Sequence, residues 1–100
     1  MAFKIITVGD LKSLMAEKEI AIVDVRDAMS FDQNHIEKAV HLHDGNIDFF
    51  LDETEREKPV VVYCFHGHSS KGAANYLDEQ GFAEVFSLEG GYTAWQSFVD

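Results

Sequence analysis

Cys64 is the only cysteine in the chain, and it falls where the run Pro59-Val-Val-Val-Tyr63 breaks into the mostly polar stretch Phe65-His-Gly-His-Ser-Ser70. A helix-forming run from Lys71 to Gln80 follows at once. This order sets a thiol at the carboxyl end of a buried strand, just ahead of a short loop and a helix N-terminus. Loop N–H groups and the positive end of the helix dipole then converge on the sulfur. A free thiol, with a pKa near about 8.5, is mostly protonated at neutral pH, and the thiolate is the nucleophile. Lowering that pKa by about two units takes roughly 2.7 kcal/mol of preferential stabilisation of the anion. Several amides, a helix dipole and a lysine together can supply it. The expected cradle is the backbone of Phe65, His66, Gly67, His68 and Ser69, with Gly67 allowing the tight turn. Ser69 and Ser70 can cap the helix or donate a hydroxyl to a bound anion, and Lys71 adds positive charge in the first turn. The competing reading is a small buried cysteine that only fills space, which the polar, glycine-containing loop argues against.

The elements that must position this thiol read as alternating strands and helices. Phe3 to Ile6 is a short strand, with Thr7 as N-cap of a helix that shows one apolar face at Leu11, Leu14 and Met15. Ile20 to Val25 is a continuous apolar run except for Asp24, the pattern of a strand covered on both faces. A short helix is expected from Ala28 to Asn34, a strand over Ala39 to Leu42, and a helix over Ile47 to Leu51. Val60 to Tyr63 is the strongest strand, and its helix spans Ser69 to Gln80, with Gly81 at the left-handed C′ position. Val85 to Leu88 is the last strand, and Gly90-Gly91 turns into a helix over Tyr92 to Phe98 that packs through Tyr92, Trp95 and Phe98. The predicted fold is therefore α/β, a single domain over residues 1–100, with a mainly parallel five-stranded sheet flanked by helices on both faces. Ligands of such sheets bind beyond the carboxyl ends of the strands, where Cys64 and Arg26 both fall.

Three segments, in this order, resemble the rhodanese superfamily. Val23-Asp-Val-Arg-Asp27 with Phe31, His35-Ile36 and Ala39-Val-His41 is similar to the family's first signature. Cys64 to Ala74 resembles its active-site loop and following helix, and Leu88-Glu-Gly-Gly-Tyr-Thr-Ala-Trp95 its glycine-aromatic segment. The length and the serine-rich loop look most like the family's small bacterial single-domain thiosulfate sulfurtransferases. The resemblance implies ping-pong sulfur transfer. Cys64 takes the outer sulfur of thiosulfate as a persulfide, releases sulfite, and passes the sulfur to cyanide, a thiol or a thioredoxin-like dithiol. No cofactor and no metal are implied. The chain departs from the family at Phe65 and Ser69, where many members carry arginine or threonine, which implies weaker thiosulfate binding. Asn34 stands where a glycine commonly precedes the His-Ile pair.

Other residues carry two readings each. Arg26 either reaches substrate or ties its strand end to the cysteine loop through Asp24 or Asp27. Lys71 is either part of the anion's field or a solvated lysine. His66 and His68 either tune the local field or point outward while their amides bind. Cys64, His66 and His68 lack the four-ligand spacing of a structural zinc site, so no metal is expected, and His41 with His43 reads as a polar strand end. A cysteine-based phosphatase or arsenate reductase would need a loop one residue longer, closed by arginine, and Lys71 cannot reproduce that planar grip. A non-catalytic persulfide carrier or partner-binding module fits the same residues, and an apolar patch near Phe65 would favour it.

Composition bounds the partners. With 18 acidic and 8 basic side chains the formal net charge is −10, which disfavours nucleic acid and anionic membranes. One lone cysteine suits a reducing compartment, and Met1 to Val8 lacks the pattern of a signal peptide. No apolar stretch approaches the roughly 20 residues that cross a bilayer. The expected location is the cytoplasm.

Overall fold

A computed structural model gives the protein's structure, described for residues 3–99; the ends of the expected 1–100 domain, Met1, Ala2 and Asp100, lie outside the described residues. Five strands and five helices alternate: β1 (Phe3–Ile6), α1 (Val8–Glu17), β2 (Ala21–Asp24), α2 (Ala28–Gln33), β3 (Val40–His41), α3 (Ile47–Glu53), β4 (Val60–Tyr63), α4 (Ser69–Glu79), β5 (Val85–Leu88) and α5 (Gly91–Val99). The strands form one sheet in the order β1-β5-β4-β2-β3, and every neighbouring pair is parallel. The central strand β4 is buried along its whole length, which explains why its sequence does not alternate in polarity.

Side-chain parity divides the core into two layers. Val61 and Tyr63 of β4, with Ile22 and Leu88, pack against Val8 and Leu11 of α1 and Trp95 of α5. Val60 and Val62, with Val23 and Val85, pack against Phe50 of α3 and Ala74 and Leu77 of α4. Helices therefore cover both faces, as the sequence predicts. Phe98 departs from expectation: it is 57% exposed, because α5 turns only its Trp95 side toward the sheet. The run Ala39 to Leu42 yields only two strand residues, because β3 is the sheet edge and pairs on one side with β2 alone.

Local chemistry fixes the element ends. Thr7 caps α1 in a reciprocal box with Asp10, each side chain accepting the other's backbone N–H at 3.1 Å. Asp27 caps α2 through Ser30, whose hydroxyl and amide together hold the Asp27 carboxyl below its ordinary pKa. At the end of α4, Gly81 N–H reaches Asp78 O and Phe82 N–H reaches Leu77 O, the paired closure of a helix whose C′ residue is left-handed. β2 and β4 are neighbours in the middle of the sheet, so their carboxyl ends bring Asp24 to Arg26 beside Cys64.

Candidate active site

Cys64 leaves β4 with its side chain 5% exposed. Its sulfur accepts N–H groups from Gly67 at 3.2 Å and Ser70 at 3.3 Å, and the Ser70 hydroxyl lies 3.5 Å away. Gly67 has φ +95°, the left-handed conformation that turns its N–H back toward the sulfur. The Ser70 amide belongs to the first turn of α4, where N–H groups have no partner inside the helix. Sulfur therefore takes the place of a cap. That corrects the expectation that Ser69 or Ser70 caps α4: both lie inside the first turn, His68 is the N-cap residue, and its side chain makes no capping bond.

Burial pushes the Cys64 thiol up, and four opposing groups outweigh it: the Ser70 hydroxyl and the amides of Ser70, Gly67 and His66. The result is a thiol pKa below its ordinary value. The amides of Gly67 and Ser70 hydrogen bond to the sulfur, and that of His66 also favours its anion.

α5 holds this loop from its other side. Tyr92 N–H donates to Cys64 O at 2.8 Å and Thr93 N–H donates to Phe65 O at 3.1 Å. With those carbonyls drawn toward α5, the loop presents N–H groups on the sulfur side. A Cβ at Gly91 would stand 2.5 Å from Cys64 O and 2.6 Å from Phe65 O, so only glycine allows the approach. The sequence marks Gly90 and Gly91 as a turn but not as the floor of the loop.

Arg26 is paired with Asp24. It donates to Asp24 from Nε at 3.1 and 3.0 Å and from Nη2 at 2.7 Å, and Nη2 also donates to Asn34 O at 2.6 Å. The side chains of this pair are 3% and 0% exposed. Burial alone would lower the Arg26 pKa, but the bonds and charge of Asp24 raise it. Tyr63 is pushed up by burial and further by Asp24. The guanidinium carbon lies 4.3 Å from the Tyr92 ring centre and 5.2 Å from that of Phe65. Arg26 thus ties the end of β2 to the cysteine loop through ring stacking, with its charge already matched.

A cleft of about 300 Å³ opens at Cys64, lined by Val25, Arg26, Asp27, Phe65, His66, His68 and Ser69. Phe65, His66, His68 and Ser69 are exposed on its rim, and the His66 ring lies 3.3 Å from the Thr93 hydroxyl. Lys71 is exposed on α4 and does not line the cleft. Among the described residues no three His, Cys, Asp or Glu side chains converge as a metal site. Sequence reasoning missed Ser87 on β5, whose hydroxyl meets that of Ser70 at 2.8 Å. Its one local signal is a hydroxyl on the same strand face as the buried Val85.

Residues 7–98 match the Rhodanese-like domain family. A relative named Thiosulfate sulfurtransferase GlpE from Pseudoalteromonas translucida is 42% identical over 97% of this chain and 92% of its own length. A second of the same name from Shewanella oneidensis is 44% identical over 94% of this chain and 93% of its own length. The crystal structure of a rhodanese-like domain protein from Staphylococcus aureus superposes with TM-score 0.80 at 29% identity, covering 93% of this chain and 91% of that one. The motifs around Arg26, Cys64 and Gly91, the parallel sheet that gathers them, and these matches agree, and the chain belongs to the rhodanese-like domain family.

Proposed function

We propose that the protein is a thiosulfate sulfurtransferase that works through a persulfide on Cys64. The observation that carries this reading is the sulfur itself, which accepts the Gly67 and Ser70 amides at the start of α4. The two relatives of that name, similar along nearly the whole chain, support the choice of thiosulfate. Cys64 thiolate attacks the outer sulfur of thiosulfate, the S–S bond of thiosulfate breaks, and sulfite leaves with that bonding pair. The persulfide keeps one negative charge and sulfite carries two, matching the thiolate and the thiosulfate dianion that entered. An acceptor thiolate or cyanide then attacks the outer sulfur and returns Cys64 as thiolate.

In this reading the loop from Phe65 to Ser69 encloses the outer sulfur, and Gly67 and Ser70 steady the inner one. His66 and His68 stand at the rim, Lys71 adds its positive charge from the first turn of α4, and Arg26 holds the wall. No metal or organic cofactor takes part. The acceptor is a thiol or dithiol, such as that of a thioredoxin-like protein. A lone cysteine that must stay reduced supports a cytoplasmic location.

A phosphatase reading lacks its essential group. Of the chain's two arginines, Arg26 is bound to Asp24, and Arg56 donates to Gln80 O, Leu51 O and Thr54 O. Treating the protein with thiosulfate and desalting should leave a mass gain of one sulfur that cyanide removes. Cys64→Ser should gain none, and a variant that kept the sulfur would rule out Cys64 as acceptor. Release of sulfite without a second acceptor beyond one equivalent would separate simple hydrolysis from transfer.

A further inference from the structure

Ser87 sits on the α4-facing side of β5, 1% exposed, in register with Ile5 of β1 on one side and Val62 of β4 on the other. A hydroxyl buried there without a partner is destabilising. Its partner is the Ser70 hydroxyl at 2.8 Å, and Ser70, 0% exposed, stands 3.5 Å from the Cys64 sulfur. Three side-chain atoms thus form a buried row: Cys64 Sγ, Ser70 Oγ and Ser87 Oγ.

Proton counting gives the row a direction. It contains two links, one S···O and one O···O. With Cys64 as thiolate the row holds two protons, one per link: Ser87 donates to Ser70 and Ser70 donates to sulfur. With Cys64 as thiol there are three protons for the same two links. Among the described residues neither serine hydroxyl has a further hydrogen-bond partner, so the third proton has no acceptor. A chain of hydroxyls aimed at an anion also polarises cooperatively.

We infer that Ser87 is a positioning residue that acts through the Ser70 hydroxyl to hold Cys64 in its proton-free forms. Both the thiolate and the persulfide meet this condition, since the inner sulfur of a persulfide carries no proton and can only accept. The inference rests on the sulfur-transfer reading for its purpose, but not for its geometry. Around Cys64 the other charged or titratable groups are Arg26, with its partner Asp24, and Asp27 from the β2–α2 connection. His66 and His68 belong to the loop, Lys71 to α4, Tyr63 to β4 and Tyr92 to α5. None of them hydrogen bonds to the hydroxyl of Ser70 or Ser87.

The test is the pH dependence of Cys64 alkylation by iodoacetamide, followed by mass, in the wild type, Ser87→Ala, Ser70→Ala and the double variant. Ser87→Ala should raise the alkylation midpoint by about half a pH unit, roughly threefold less thiolate well below the midpoint. In the Ser70→Ala background Ser87→Ala should add nothing. The isosteric pair Ser87→Thr and Ser87→Val separates hydroxyl from packing, and serves also if the alanine variant does not fold. Thr should alkylate at a lower midpoint than Val. An unchanged midpoint in Ser87→Ala, an equal shift in both backgrounds, or equal midpoints for Thr and Val would overturn the inference. Sulfite release from thiosulfate is measured in parallel. Its absence in the wild type, with the alkylation shifts intact, would defeat the sulfur-transfer reading and leave the relay standing.

Discussion

Cys64 is pulled in opposite directions by one location. Removing the sulfur from water favours the thiol, whereas the Ser70 hydroxyl and the amides of Ser70, Gly67 and His66 favour the anion and prevail. Sulfite release should therefore rise with pH to a plateau reached below the range of a free thiol, and alkylation of Cys64 should trace the same curve. The same imbalance links to stability. A lowered folded pKa means that ionised Cys64 stabilises the fold fully above the unfolded pKa, and that this contribution disappears as pH falls through the folded value. Urea midpoints of wild type and Cys64→Ser should diverge with rising pH in that window, and parallel curves would contradict the lowered value. Arg26 makes a separate prediction. Arg26→Ala strands the Asp24 carboxylate, 0% exposed, and should destabilise by about 3–5 kcal/mol in urea unfolding. Arg26→Met combined with Asp24→Leu should recover most of that loss, because the apolar pair leaves no buried charge behind.

At the scale of elements, two helix N-termini meet on one loop. α4 sends the Ser70 amide to sulfur, while α5 sends the Tyr92 and Thr93 amides to the carbonyls of Cys64 and Phe65. The loop is thus oriented from both sides, and Gly91 sets the distance between α5 and the loop. Gly91→Ala introduces a Cβ where backbone atoms already stand at 2.5 and 2.6 Å, at a residue with φ +58°. Overpacking and backbone strain together should cost about 2–4 kcal/mol. The thermal midpoint should fall, and sulfite release at a temperature where the variant remains folded should fall by at least about tenfold, from loss of cradle geometry. Full activity in a folded Gly91→Ala would show that α5 does not orient the loop. A contrasting case is Gly72, whose added Cβ would meet nothing within 4 Å. Gly72→Ala should stabilise α4 by about 0.5–1 kcal/mol without changing turnover.

The whole molecule carries a net charge of −10, so a dianionic donor approaches against a repulsive field. Salt shortens that field, to a screening length of about 10 Å at 0.1 M. For the wild type, kcat/KM with thiosulfate should increase as salt is raised through this range. Lys71, exposed near the start of α4, offsets part of the repulsion locally. Lys71→Ala should lower kcat/KM more at low salt than at high salt, and an unchanged salt profile would remove Lys71 from the donor's path. No described helix is long and apolar enough to cross a membrane.

Much of this protein was legible from residue order. The strands Val60–Tyr63 and Val85–Leu88, the Thr7 cap, the Gly81 helix end and the parallel α/β arrangement all follow from signals spread over a few residues. The same is true of a thiol placed between a strand and a helix. Residue order left open whether Arg26 met substrate or Asp24, because either partner was in reach of so long a side chain. It gave no reason for Ser87 to meet Ser70, or for Gly91 to lie against Cys64. Those meetings arise because the sheet sets β5 beside β4, across 17 residues for the serine pair. Periodicity and capping are written in neighbours along the chain, whereas the far side of the thiol's environment is built by strand order and register, which only tertiary packing decides.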